Sequence, residues 1–245
     1  MGRGLQLPLK RAFDILLATI LLVIFSPLMA LIALAIWVTM GRPILFRQPR
    51  IGYKGRVFTI YKFRTMTEAR DEHGNLLPDE QRLTPLGRLL RSLTLDELPE
   101  LFNVLKGDMS IVGPRPLLVE YRDLYTPEQW RRHDMPPGMA GPVLASGRNL
   151  LSWEEKFKLD VWYVDNWSLW LDFKILFKTA WKVIRREGVS AQGHVTMPKF
   201  TGTRTNMLPK GYTLDVSQPT VDTQPPAADR RLLTADRRPP TADRS

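Results

Sequence analysis

Cysteine is absent from all 245 residues, so disulfides, thiolate metal sites and cysteine nucleophiles are excluded together. Histidine is nearly absent as well. His73, His133 and His194 lie far apart with no partner at ligand spacing, which argues against a zinc centre. No P-loop and no GxGxxG run occurs, so the usual Gly-rich cradles for a nucleotide are missing. Acids are scarce at one end: residues 1–60 hold eight Lys or Arg against the single acid Asp14. The whole chain carries +10, and that excess calls for an anionic partner such as phospholipid, nucleic acid or a phosphorylated substrate. At 44% hydrophobic and 24% charged, the composition is that of a folded protein, and the length suits one domain with attachments.

What is present begins with an apolar run. Ile15 to Met40 is 26 residues without a charge, where about 20 suffice to cross a hydrocarbon core of about 30 Å. The run is too long for the apolar part of a cleaved signal peptide. Ser26-Pro27 interrupts it midway, since Pro27 has no N–H for the Val23 carbonyl and its ring crowds that group. The Ser26 hydroxyl can serve the freed backbone. Each arm is then about 16–20 Å, too short to cross alone. Lys10 and Arg11 precede the run, and Arg42 and Arg47 follow it. Positive charge at both ends favours keeping both on the cytoplasmic side. The expectation is a re-entrant helix–break–helix; a kinked single span is the alternative.

Beyond Gly41 the pattern shortens to strands and turns, for example Val57 to Tyr61. Asp71 to Gln81 reads as a polar surface loop and Arg82 to Arg91 as a helix entered through Thr84-Pro85. Leu98, Leu101, Phe102 and Leu105 then mark one helical face closed by Gly107. Thr94 or Asp96 is the expected N-cap, and Glu97 stands at capping-box spacing from Thr94. Asp96 and Glu97 thus fall at a positive helix end, flanked in sequence by Arg82, Arg88, Arg91, Lys106 and Arg115. Carboxylates, arginines and a divalent ion suit phosphoryl chemistry. Simple capping of a helix is the competing reading. Gly113-Pro114-Arg115-Pro116 fixes one guanidinium between two prolines, which suits a phosphate grip or, more plainly, a rigid turn.

Several runs together carry a resemblance. They are Lys10-Arg11-x-Phe13-Asp14, Ser26-Pro27, Tyr61-Lys62-Phe63-Arg64-Thr65-Met66 and Leu83-Thr84-Pro85-Leu86-Gly87-Arg88. Asp96-Glu97-Leu98-Pro99 and the run from Asn103 to Pro116 complete the set. In this order, over about residues 8–200, the chain resembles the bacterial sugar transferases, the monotopic polyprenyl-phosphate phosphoglycosyl transferases. The resemblance implies transfer of a sugar 1-phosphate from a UDP-sugar to undecaprenyl phosphate, with UMP released and Mg²⁺ as cofactor. It places the work at the cytoplasmic face of the inner membrane, in the assembly of a glycan. It makes Asp96 the nucleophile that takes the phospho-sugar covalently, Glu97 its partner, and the pair the metal site. Substrate contacts fall on Arg91, Arg115, Pro116, Lys62, Arg64 and Arg88.

Ser146-Gly147-Arg148-Asn149 with Ser152 to Phe157 and Leu159 to Tyr163 resembles the short branch that acts on N-acetylated sugars. Trp153 to Trp181 holds five of the seven Trp, interleaved with Lys156, Lys158, Lys174, Lys178 and Lys182, which suits helices in the head-group layer; ordinary core packing is the equal alternative for any one of these Trp. Beyond about Phe200, prolines and a thrice-repeated Ala-Asp-Arg mark a low-complexity tail expected to be disordered.

The expected architecture is therefore α+β: a re-entrant helix over 1–41, a small mixed catalytic domain over 42–200 with interfacial amphipathic helices, and the tail over 201–245. Expected partners are the UDP-sugar, undecaprenyl phosphate and the bilayer, without nucleic acid; a homo-oligomer is compatible with all of these features. A non-enzymatic membrane-surface adaptor is the alternative from a different class.

Overall fold

The computed structural model describes residues 3–146, 151–185 and 199–202. The Gly147 to Asn149 part of the expected sugar-selective segment and the tail beyond residue 202 lie outside the described residues. The chain divides at Met207, and every described element belongs to the first unit.

The first element, α1 (Arg3–Met40), is a 38-residue helix with Pro8 and Pro27 inside it, about 57 Å long at 1.5 Å per residue. The expected break at Ser26-Pro27 does not open a non-helical gap. Ser26 Oγ donates to the Val23 carbonyl at 2.9 Å, the acceptor that Pro27 cannot serve. One helix of the described residues is long and apolar enough to cross a membrane, and it is this one.

An antiparallel hairpin follows, β1 (Leu45–Ile51) paired with β2 (Val57–Phe63), with Phe46 opposite Lys62. The expected surface loop ends in a short helix, α2 (Asp79–Arg82). Helix α3 (Pro85–Ser92) starts as its sequence dictates, with the Thr84 side chain accepting from the Gly87 amide and Pro85 in the first turn. Then come α4 (Glu100–Lys106), β3 (Ser110–Val112), α5 (Pro127–Trp130), β4 (Gly138–Ala140) and α6 (Pro142–Ser146). Strand β3 pairs in parallel with β4. Two longer helices, α7 (Trp153–Asn166) and α8 (Leu169–Ile184), close the described part; Ser152 and Glu155 form a full capping box on α7. Helices and two small sheets thus share one domain, an α+β arrangement.

Both halves of α1 belong to the core of that domain. Ala18 is buried with Ile60, Leu101, Val104, Ile111 and Tyr163, whereas Ile32 and Ile36 are buried with Phe63 and Leu90. Both ends are also tied down by polar bonds. At the start, Lys10 donates to the Val112 carbonyl and Asp172, Arg11 donates to the Val104 and Leu105 carbonyls, and Asp14 accepts from Ser110 and Ile111. At the finish, the Arg64 guanidinium covers the carbonyls of Met40, Gly41 and Arg42. The outward face stays apolar, with Val23, Leu31 and Val38 each more than 60% exposed.

Helix α8 is arranged the same way. Trp170, Phe173, Phe177 and Trp181 form an exposed stripe at helical spacing, while Asp172, Ile175 and Thr179 are buried on the other side. Lys174 lies over Trp170 and Arg185 over Trp181. The five clustered Trp divide by environment. Trp162, Trp170 and Trp181 are exposed, Trp167 is buried against Asp172, and Trp153 joins an aromatic cluster with Tyr121, Phe157 and Phe200. Lys156, expected at the surface, is buried beneath Trp153 instead.

Candidate active site

Asp96 and Glu97 lie on a tight turn, Leu95–Glu97, rather than in the first turn of α4. Thr94 enters that turn in the left-handed region (φ 59°) and makes no side-chain cap, so the expected capping box is absent. The Glu97 carboxylate is turned inward to other partners. Lys62 donates to its Oε1 at 2.6 Å, and Arg115 reaches the same oxygen at 2.5 Å. Lys62 also lies 3.1 Å from Glu100 Oε1, so one ammonium is held between two buried carboxylates.

Local structure explains how these groups meet. Along β2, Phe63 packs toward α1 while the neighbouring Lys62 faces the other side of the hairpin, where Glu97 sits. Arg115 is fixed by its backbone: Arg132 donates to its carbonyl at 2.6 Å, and Arg132 is itself held by a buried pair with Asp160. Gly113 is required just before it, because a Cβ there would lie 2.3 Å from the Pro136 carbonyl. The prolines around Arg115 therefore do stiffen a loop, and the stiff loop delivers a guanidinium to Glu97. Arg91 is oriented by Thr65, its Nε donating to Oγ1 at 3.1 Å.

The electrostatics separate the carboxyls. Burial opposes charge on Glu97, but Arg115 and Lys62 outweigh it and hold this carboxyl well below the usual range. The same contact with Glu97 holds the proton more tightly on Arg115. Asp96 is shifted upward by burial and by the charge of Glu97, with Lys62, Arg91 and Arg115 pulling back. Glu100 is pushed up to about 7, chiefly by burial, with Lys62 opposing. A more basic carboxylate beside a fixed anion and three cations is suited to attack an electrophilic phosphorus.

Of the residues expected to touch substrate, Lys62, Arg91 and Arg115 converge on the acidic pair, and the Pro116 carbonyl faces Arg50 at 3.5 Å. Arg64 instead caps the end of α1, and Arg88 is exposed on α3. Arg82 bonds the Thr67 carbonyl and Asp79, and Lys106 pairs with Asp108. Two members of the cluster were not singled out from the sequence. Glu100 lies one helical turn after Glu97 in the same Asp-Glu-Leu-Pro-Glu run. Arg50, lowered to about 10 by burial and by Arg115, was visible only as one of many basic residues.

Among the described residues, no group of three or more His, Asp or Glu is placed to hold a metal ion. Mg²⁺ needs fewer protein ligands, since one or two carboxylates and substrate phosphate oxygens complete its shell. The Asp96–Glu97 pair fits that donor set.

Residues 5–186 match the family model described as bacterial sugar transferase. The chain belongs to this family. Among relatives of this sugar transferase, the uncharacterized sugar transferase EpsL of Bacillus subtilis is 54% identical over 195 residues, 80% of this chain and 96% of that protein. The undecaprenyl-phosphate galactose phosphotransferase of Salmonella typhimurium is 40% identical over 200 residues, 74% of this chain and 41% of its own length. An Aeromonas hydrophila protein is 41% identical over 179 residues, 70% of this chain and 42% of its own length. Its name is UDP-N-acetylgalactosamine-undecaprenyl-phosphate N-acetylgalactosaminephosphotransferase. The chain thus spans less than half of these last two relatives.

Proposed function

We propose that this sugar transferase moves a sugar 1-phosphate from a UDP-sugar to undecaprenyl phosphate, releasing UMP, through a covalent intermediate on Asp96. The observation that carries this reading is the half-buried Asp96 carboxylate beside Glu97, with Lys62, Arg91 and Arg115 around it. An Asp96 oxygen attacks the phosphorus that bears the sugar, the bond from that phosphorus to the UMP oxygen breaks, and UMP leaves with its electron pair. An oxygen of the lipid phosphate then attacks the same phosphorus, and the Asp96 carboxylate is the leaving group. Two anions, one from water and one from the bilayer, thereby use one electrophilic site in turn. Arg115 and Arg91 are the groups that neutralise phosphate oxygens, and Lys62 keeps Glu97 ionised and in place. Mg²⁺, when bound by Asp96 and Glu97, supplies charge neutralisation on those oxygens.

The topology proposed with it is monotopic, on the cytoplasmic face. Support comes from α1 having both ends bonded to one domain while its outward face stays apolar. We read α1 as bent at Pro27 within one leaflet, with the aromatic stripe of α8 in the head-group layer.

The test is a panel of UDP-sugars, N-acetylated ones first, assayed for UMP release with undecaprenyl phosphate. Asp96→Asn should abolish release. With lipid omitted, the unmodified enzyme should release one UMP per site and gain one phospho-sugar by intact-protein mass. UDP as product, or normal turnover by Asp96→Asn, would overturn the reading.

A further inference from the structure

Helix α4 presents two buried polar side chains to β2. Glu100 and Asn103 stand three residues apart, on one side of the helix, and are 2% and 0% exposed. Asn103 grips the strand backbone. Its Oδ1 accepts from the Tyr61 amide at 3.1 Å, and its Nδ2 donates to the Thr59 carbonyl at 2.7 Å. One carboxamide thus serves two backbone groups of β2, as a neighbouring strand would, just ahead of Lys62. One turn back on the same side of α4, Glu100 Oε1 meets the Lys62 ammonium at 3.1 Å. The root and the tip of this lysine are both fixed from α4.

The charge on Glu100 does not serve stability. Its Oε1 is buried and finds no hydrogen bond among the described residues beyond that ion pair. Lys62 lies closer to Glu97, at 2.6 Å, and one ammonium does not offset the burial of two carboxylates. Burial accordingly pushes the Glu100 carboxyl up to about 7. Glutamine would fill the same space without the charge. A buried charge that weakens the fold beside the reacting groups points to function.

What that charge does follows from the other neighbours of Lys62. Asp96 and Glu97 are adjacent on one tight turn. Lys62 bonds Glu97 and also lowers the Asp96 carboxyl by its charge. Anchored by Glu97 alone, the ammonium is free to swing toward Asp96, and a carboxylate paired with a cation is a weaker nucleophile. A second anchor on α4 restrains that swing.

We infer that Glu100 is a positioning residue: it holds the Lys62 ammonium on Glu97 and off Asp96, leaving the Asp96 carboxylate free to attack phosphorus. Asn103 supports it by fixing the strand from which Lys62 projects. The inference rests on the aspartyl-intermediate reading above and adds what keeps the nucleophile unpaired.

The test uses the full chain in lipid nanodiscs. Glu100→Gln keeps the shape and removes the second anchor. With lipid omitted, the maximal rate of Asp96 adduct formation should fall about tenfold, within the range that misplaced groups cost. The UDP-sugar concentration giving half that rate should stay as in the parent. In a Lys62→Met background the same substitution should cost nothing further, because Glu100 acts through Lys62. Acetic anhydride labelling of Lys62, read by mass spectrometry against the exposed Lys54, should rise severalfold in Glu100→Gln because the amine is less firmly held. A parental rate in Glu100→Gln, a loss that adds in full to that of Lys62→Met, or unchanged labelling of Lys62 would each overturn the assignment. So would a loss confined to weaker UDP-sugar binding. Should Glu100→Gln fail to fold, Glu100→Asp, one methylene short of Lys62, takes its place with losses expected in the same direction. If the parent forms no adduct with any UDP-sugar, the transfer reading falls, and the labelling still decides whether Glu100 holds Lys62.

Discussion

Lys10 and Asp172 are 162 residues apart in sequence, and their charged atoms meet at 2.6 Å with side chains only 3% and 2% exposed. Tyr163 and Trp167 also donate to Asp172, and Lys10 donates to the Val112 carbonyl. One buried polar knot thus joins the start of α1 to α7, α8 and β3. Removing either charge strands the other, so Lys10→Met or Asp172→Asn should each cost about 3–5 kcal/mol. Thermal unfolding in detergent measures this. The double variant should lose less than the sum; additive losses would show that the two charges do not depend on each other.

Stability should also report on Glu100. Its carboxyl is pushed from 4.5 to about 7 in the folded protein, so folding retains a proton that the unfolded chain releases over that interval. Stability attributable to this group therefore falls as pH rises from about 4.5 to about 7 and is level above it. Glu100→Gln removes the loss. The melting temperature of the variant minus that of the parent should grow across this window and then flatten. A difference that shrinks instead would show Glu100 to be a stabilising anion.

Lys62 is the group whose removal most disturbs the site, because Glu97 and Glu100 share it. Lys62→Met should lower the rate of UMP release by about 10²–10³, the scale of losing one fixed donor at a phosphoryl site. Lys62→Arg should not restore it, since a planar fork cannot occupy the point between two carboxylates that an ammonium fills. Activity within threefold of the parent in either variant would remove Lys62 from the catalytic cluster.

The lack of cysteine makes the topology directly measurable, since any introduced thiol is unique. Leu7→Cys, in the first turns of α1 ahead of the uncharged run, and Glu72→Cys, beyond the hairpin, lie on exposed positions on either side of that run. Both should resist an impermeant maleimide in intact cells and react once the membrane is opened. Labelling of Leu7→Cys alone in intact cells would mean that α1 crosses the bilayer.

Much of this was legible from residues near one another in the chain. The entry into α3 follows from Thr84-Pro85, and the end of α4 from Gly107, which adopts φ 96°. The strand expected at Val57 to Tyr61 lies within β2. What could not be read depends on distant partners. Glu97 was at capping-box spacing from Thr94, but Lys62 and Arg115 lie 35 and 18 residues from it and draw its carboxylate away. Arg64 stands in a run that suggests substrate contact, and the carbonyls it covers, Met40 to Arg42, lie at the end of α1 and just past it, 22 to 24 residues earlier. Phe102 fell on an apolar helical face, and only the placement of α1 shows that this part of the face is open.

The membrane helix is also a wall of the catalytic fold. Ala18, Ile32 and Ile36 are buried among residues of β2, α3, α4 and β3, and the Arg11 guanidinium supplies donors to the end of α4. A shortened form beginning at Gly41 would bare two hydrophobic clusters and strip the last carbonyls of α4 of their partner, so it should aggregate rather than behave as a detached enzyme. The helix that is apolar enough for a membrane and the frame that holds the catalytic domain are in this protein one and the same piece of architecture.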